Sequence, residues 1–260
     1  MTFQQSTLAR ETSSQPVQFN RWITCPSPNP AAPLRLFCLP FAGGGASVFR
    51  GWGQSLSSVE LCPIQLPGRE NRLSEPSFTT MGDLVERLAE EIMPFTDKPF
   101  ALFGHSMGAL VSFELTRALR RRSAPLPTML FLSAMRAAHL PLHREPLHGL
   151  DDAAFLAAVK RFGGTPSDVF QHPELIELIL PTLRADLRLC DGYRFEPDAP
   201  LDCPFILYAG RQDGEATPTD VEPWRQHTTR GARLRIFPGD HFFLRSDRDL
   251  LMRAMASALA

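Results

Sequence analysis

The chain has 260 residues, 43% of them hydrophobic, and its 27 basic side chains nearly cancel 28 acidic ones for a net charge of −1. That is material for one large α/β domain or two small ones, and the balance excludes a protein built to capture nucleic acid or an anionic membrane by bulk charge. No apolar run approaches the ~18 residues of a membrane span, and Met1-Thr2-Phe3-Gln4-Gln5-Ser6 lacks the basic-then-apolar order of a secretory signal, so neither is expected.

Residues 1–16 are polar and read as a loose tail, with a short strand expected over Val17–Ile23 before the Pro-rich joint Pro26-Ser27-Pro28-Asn29-Pro30. From there strands and helices alternate as in a parallel α/β sheet. Leu34–Leu39 reads as a buried strand, Val48–Leu56 as a helix and Val59–Gln65 as a strand. Thr80–Met93 carries apolar residues at Leu84, Val85, Leu88 and Ile92, the spacing of one helix face. The run Phe100–Phe103 leads through Gly104-His105-Ser106-Met107-Gly108 into a helical stretch, Ala109–Arg122, followed by a strand at Thr128–Leu132. The rhythm breaks between about Met135 and Pro200, where only helical patterns occur, at Asp152–Phe162 and Pro173–Asp191. It resumes with Phe205–Ala209, a helix near Asp220–Gln226, Arg233–Phe237 and a closing helix Asp247–Ala260. The expectation is one α/β domain over residues 1–260, with a mostly parallel sheet and a helical insertion at about 135–200 that acts as a lid.

Strand, tight turn around a serine, then helix is the context that makes Gly104-His105-Ser106-Met107-Gly108 a nucleophile elbow. A serine hydroxyl needs a base to take its proton, and the base needs an acid to fix its tautomer. Of seven histidines, His241 in Phe237-Pro238-Gly239-Asp240-His241-Phe242-Phe243 stands between the last strand and the last helix, where this fold presents its base. His105 lies in the elbow and points away from Ser106; His139, His143 and His148 fall in a Pro-broken loop, His172 at a helix start and His227 at a polar helix end. For the acid, Asp213 follows the strand Phe205–Ala209, in the order Ser, Asp, His; Glu215 is a rival, Asp240 a turn former, and Asp202 precedes its strand. Two oxyanion donors are expected: the N–H of Met107, and one from Phe41 or Ala42 in the loop Pro40-Phe41-Ala42-Gly43-Gly44-Gly45. No Gly-Lys-Ser/Thr follows those glycines, so they do not form a phosphate loop.

The five cysteines (Cys25, Cys38, Cys62, Cys190, Cys203) are scattered and never spaced Cys-x-x-Cys, which reads as small buried residues in a reducing cytoplasm. Only Lys98 and Lys160 are lysines, so positive patches are arginine, suited to bidentate grip.

Five blocks resemble the signatures of type II thioesterases, the free-standing editing hydrolases of non-ribosomal peptide and polyketide synthesis. They are Leu39–Gly45, Leu66-Pro67-Gly68-Arg69-Glu70, Gly104–Gly108, Leu180-Pro181-Thr182-Leu183-Arg184-Ala185-Asp186 and Pro238–Phe243, in family order from about Leu34 to the C-terminus. Gly163-Gly164-Thr165-Pro166 and Trp224 also resemble family features. The resemblance implies an α/β-hydrolase fold and hydrolysis of acyl groups stalled on the phosphopantetheine arms of carrier-protein domains. It implies Ser106, His241 and Asp213 as the triad, no cofactor or metal, a cytoplasmic monomer, and no nucleic-acid or membrane partner. Arg69, Arg72 or the cluster Arg120-Arg121-Arg122 are candidates to meet an acidic carrier, although the cluster reads first as a solvated helix end. The alternatives are a general carboxylesterase or lipase on the same fold and a silent scaffold, which would lack a triad member.

Overall fold

Alternation along β1 (Leu34–Leu39) sets the layering: Phe37 and Leu39 enter the core on one face, Leu36 and Cys38 the core on the other. The same split recurs along β3 (Phe100–His105), where Phe100 and Leu102 oppose Ala101 and Phe103. Both faces are covered, which is why these strands read as continuous apolar runs. The computed structural model describes residues 19–260; the expected tail and the first two residues of the Val17–Ile23 strand lie outside the described residues.

With them, β2 (Val59–Pro63), β4 (Met129–Ser133), β5 (Phe205–Gly210) and β6 (Ala232–Phe237) form one sheet in the order β2-β1-β3-β4-β5-β6, β1 and β3 being direct neighbours. Every neighbouring pair is parallel. One face packs on α2 (Met81–Ile92) and α3 (Met107–Arg121), the other on α1 (Trp52–Ser55), α7 (Phe243–Ser246) and α8 (Arg248–Leu259). This is the α/β-hydrolase architecture, and Ser106 stands at the carboxyl edge of its sheet.

Three expected elements come out differently. Over the described residues 19–23 only Ile23 pairs, in an antiparallel bridge to Ile64, because the Asn20 side chain accepts from the N–H groups of Trp22 (2.9 Å) and Ile23 (2.8 Å) and folds the chain into a turn. The expected helix Val48–Leu56 is split into a 3-10 turn at Ala46–Phe49 and the short α1, since Gly51 sits in the left-handed region at φ 78°. The helix expected near Asp220 starts earlier, as α6 (Pro218–Val221) behind a Thr217–Asp220 capping box, and tightens to a 3-10 helix over Glu222–His227 where Pro223 removes a donor.

The insertion between β4 and β5 contains no strand; it carries α4 (Asp152–Phe162) and α5 (Pro173–Asp191). Its apolar faces gather into a small core of their own, Leu147, Phe155, Ala158, Val159, Leu183 and Leu187, seated over the carboxyl edge of the sheet.

Candidate active site

The elbow is strained. Ser106 has φ 53° and ψ −121°, a conformation that costs about 1–3 kcal/mol and needs surrounding structure to hold it. Its N–H donates to the Ser133 carbonyl of the adjacent strand at 2.8 Å, and its own carbonyl receives Ala109 N–H at 2.9 Å as α3 begins. A Cβ on Gly104 would fall on the Gly108 carbonyl, and one on Gly108 would fall on the Leu39 carbonyl. The two glycines are there to let α3 crowd against β3 and β1.

Ser106 Oγ lies 3.0 Å from His241 Nε2, and His241 Nδ1 lies 2.8 Å from Asp213 Oδ2. The Asp213 side chain is wholly buried, and its other oxygen accepts the N–H groups of Glu215 (2.8 Å) and Ala216 (3.0 Å). One carboxylate oxygen is thereby fixed by the backbone while the other faces the imidazole. The loops that carry Asp213 and His241 are tied together: Arg211 N–H donates to the Phe237 carbonyl at 2.8 Å and Gln212 N–H to the Gly239 carbonyl at 3.0 Å. Glu215 turns its carboxylate toward Arg144 (3.6 Å) and makes no bond to His241. Asp240 accepts Phe242 N–H at 2.8 Å, as a turn former does, and Asp202 pairs with Arg230 at 2.6 Å, away from the site.

His105 does point away from the Ser106 hydroxyl, and it has a task that sequence reasoning missed. Its Nε2 lies 2.8 Å from the His241 carbonyl and its Nδ1 2.9 Å from Ser133 Oγ. Complete burial, with the nearby His241 adding to it, pushes its pKa well below the ordinary histidine value. The ring is therefore neutral, and because a carbonyl can only accept, Nε2 carries the proton and Nδ1 accepts from the Ser133 hydroxyl. His105 buttresses the backbone of the loop that carries His241.

Among the described residues nothing accepts from the N–H groups of Met107, Phe41 or Ala42. All three residues border a cavity of about 280 Å³ beneath the insertion. Ser106 and His241 form its floor, and Met135, Val159, Phe162, Leu183 and Leu187 form apolar walls. A groove of about 460 Å³ runs alongside over Gly43, Gly44 and Gly45 to Leu73, Leu178 and Arg245, sharing Ala42 and Thr165 with the cavity.

The other histidines do not converge. His139 Nδ1 meets His227 Nε2 at 2.7 Å, His143 meets Asp220 at 2.8 Å, and His148 meets Asp191 at 3.3 Å. Among the described residues there is no group of three or more metal-ligating side chains, and no helix is long and apolar enough to cross a membrane. Two of the arginines proposed for an acidic carrier are withdrawn by burial. Arg69 is 5% exposed and bound to Asp186; Arg72 is 3% exposed, bound to Glu75 and the Gln65 carbonyl and stacked over Trp22. Arg120 pairs with Asp198, and Arg121 and Arg122 with Glu86, so that cluster is a solvated, internally neutralised helix end. Trp224 donates to the Met135 carbonyl at 2.7 Å and so pins the chain leaving β4 beside the cavity.

The family model for the thioesterase domain matches residues 34–259. The chain is 42% identical over 243 residues to the gramicidin S biosynthesis protein GrsT of Aneurinibacillus migulanus, covering 93% of this chain and 95% of that one. Among solved structures, the RedJ thioesterase from the prodiginine biosynthetic pathway in Streptomyces coelicolor matches with a TM-score of 0.83 at 42% identity, over 94% of this chain and 96% of that one. The type II thioesterase BorB from the borrelidin biosynthetic cluster matches with a TM-score of 0.85 at 32% identity, over 94% and 100%. The chain belongs to the thioesterase family, as a type II thioesterase on the α/β-hydrolase fold.

Proposed function

We propose that this thioesterase removes acyl groups from the phosphopantetheine arms of carrier-protein domains, clearing stalled non-ribosomal peptide or polyketide synthases. Ser106 is the nucleophile, His241 the general base, and Asp213 the acid that orients it. The N–H of Met107 and that of Phe41 or Ala42 receive the oxyanion. The observation that carries this reading is the continuous hydrogen-bond line Ser106–His241–Asp213 on the floor of an apolar cavity. The names of GrsT, RedJ and BorB support the setting, since they place those proteins in the biosynthesis of gramicidin S, prodiginine and borrelidin respectively.

In this reading Ser106 Oγ attacks the thioester carbonyl as His241 Nε2 takes its proton. The tetrahedral oxyanion sits against the two N–H groups and collapses, expelling the arm's sulfur, which leaves with the proton from His241. A water molecule, deprotonated by the same nitrogen, then hydrolyses the acyl-serine. A thiol with a pKa near about 8.5 leaves far more readily than an amine, so modest acid catalysis suffices and no cofactor enters. The described residues act as a single domain whose insertion, about 135–200, is a lid that shapes the acyl chamber, and the neighbouring groove admits the arm.

The test is hydrolysis of acetyl- and longer acyl-phosphopantetheinyl carrier protein, followed by intact mass, with Ser106→Ala in parallel. Acyl release by the wild type only supports the reading. Brisk cleavage of a free aryl ester with no release from the carrier would move it to a general esterase, and silence on both to a scaffold.

A further inference from the structure

Two of the sequence blocks, Leu66–Glu70 and Leu180–Asp186, take no part in the chemistry above, yet they meet beside it. Asp186, near the end of α5 and 2% exposed, receives two parallel hydrogen bonds from the Arg69 guanidinium at 2.7 and 2.8 Å. The oxygen nearer to Gly43 also accepts that residue's N–H at 2.7 Å. Arg69 in turn donates to the carbonyls of Gly44 and Pro67, each at 3.1 Å. One buried ion pair thus grips the Gly43 N–H and the Gly44 carbonyl, the two ends of the glycine turn. Leu183 on the preceding turn of α5 occupies the space where a Gly43 Cβ would stand, and Gly43 holds φ 76°.

We propose that Asp186 is a positioning residue for the oxyanion loop: the insertion helix, through its carboxylate and Arg69, sets the direction in which Phe41 and Ala42 present their N–H groups. This rests on the reading of that loop as an oxyanion donor. The physical basis is that a glycine turn has little stiffness of its own, whereas charge-assisted bonds in a buried setting are short and directional. A donor must lie within a few tenths of an ångström of the developing charge to be worth its full effect, and a displacement near 1 Å costs about a hundredfold in rate. The insertion therefore supplies part of the catalytic geometry as well as a wall.

The experiment compares wild type with Asp186→Asn and Asp186→Ala, using an acyl-pantetheine thioester, an acyl trifluoromethyl ketone whose serine adduct carries the oxyanion, and a non-cleavable thioether analogue that carries none. Asn keeps a carbonyl for the Gly43 N–H and weakens only the grip on Arg69, so kcat falls about tenfold with Asn and about a hundredfold with Ala. KM and thioether affinity stay within about threefold, while ketone inhibition weakens by the factor that kcat loses. Arg184→Gln is the control: it removes the bonds from α5 to Asp152 and the His148 carbonyl, outside the oxyanion turn, and lowers the thermal midpoint with kcat within about twofold. The inference is overturned if Asp186→Asn loses thermal stability but keeps wild-type kcat and ketone inhibition, or if the loss appears equally in thioether affinity. If the Ala variant does not fold, the Asn variant decides. Failure of the wild type on carrier thioesters would sink the proposed substrate and leave the ketone comparison standing, so the two failures are distinct.

Discussion

At the residue scale, the division of labour around His241 makes the expected losses unequal. In the proposed roles Asp213 acts through the imidazole tautomer, so Asp213→Asn is expected to leave the fold in place and lower kcat by roughly a thousandfold or more, whereas Ser106→Ala would remove the proposed nucleophile altogether. Single-turnover assays on an acyl-pantetheine separate the two; full activity in Asp213→Asn would show that another acid orients the base. His105 has a different signature. Replacing it by Phe keeps the volume and the burial but orphans the His241 carbonyl and the Ser133 hydroxyl. The expected outcome is a loss of about 1–3 kcal/mol in urea unfolding, with kcat reduced far less than by His241→Ala. The hydrogen-bonded line Ser106–His241–Asp213, proposed to react, was legible in the sequence because each residue follows a strand in the order the fold dictates. His105 was not, because its work is done through a main-chain carbonyl 136 positions away, and no local pattern marks such a bond.

At the scale of elements, the glycines separate into those that give way to contact and those that merely soften a helix. Gly108→Ala drives a methyl group into the Leu39 carbonyl and should cost about 3 kcal/mol or more, since neither strand nor helix can retreat. Gly82, in α2 with nothing within 4 Å of its would-be Cβ, should behave oppositely: Gly82→Ala gains about 0.5–1 kcal/mol. Chemical denaturation of both variants checks the contrast, and a neutral Gly108→Ala would mean that the elbow is looser than drawn. The same contrast explains which elements could be read in advance. α4 and α5 were legible to the residue, for apolar spacing and a proline at N1 mark them. The Val48–Leu56 helix was not, because Gly51 is compatible with a helix until the packing of Phe49 on Trp52, ring centroids 5.1 Å apart, requires a left-handed turn between them. Nor could the chain say that Arg69 and Arg72 are buried, since Asp186 against Arg69 and the Trp22 ring over Arg72 arrive by tertiary contact alone.

For the molecule as a whole, two buried neutral histidines make stability depend on pH in one direction. Burial, reinforced by His139 and Arg117, pushes His227 down to about 4, and His105 is depressed as well. Both folded values lie below the unfolded one of about 6.5, so the unfolded chain takes up protons first as pH falls. Their contribution is complete above about pH 6.5 and is lost on acidification; for His227 the loss reaches roughly 2 kcal/mol by about pH 5. Urea midpoints at neutral and mildly acid pH measure it, and His227→Gln should flatten the difference; an unchanged slope would place the acid sensitivity elsewhere. The outer sheet edges are managed by different means. β2 is covered through Ile23 and Thr24, while β6 exposes Arg233 and Arg235, whose charge discourages pairing with another chain. Connectivity carries one more consequence. The serine's elbow is complete once the chain has passed β4, but Asp213 and His241 hang on β5 and β6, which join only after the whole insertion has been made. A nascent chain thus presents Ser106, the proposed nucleophile, before the His241–Asp213 pair proposed to activate it has been joined to the sheet.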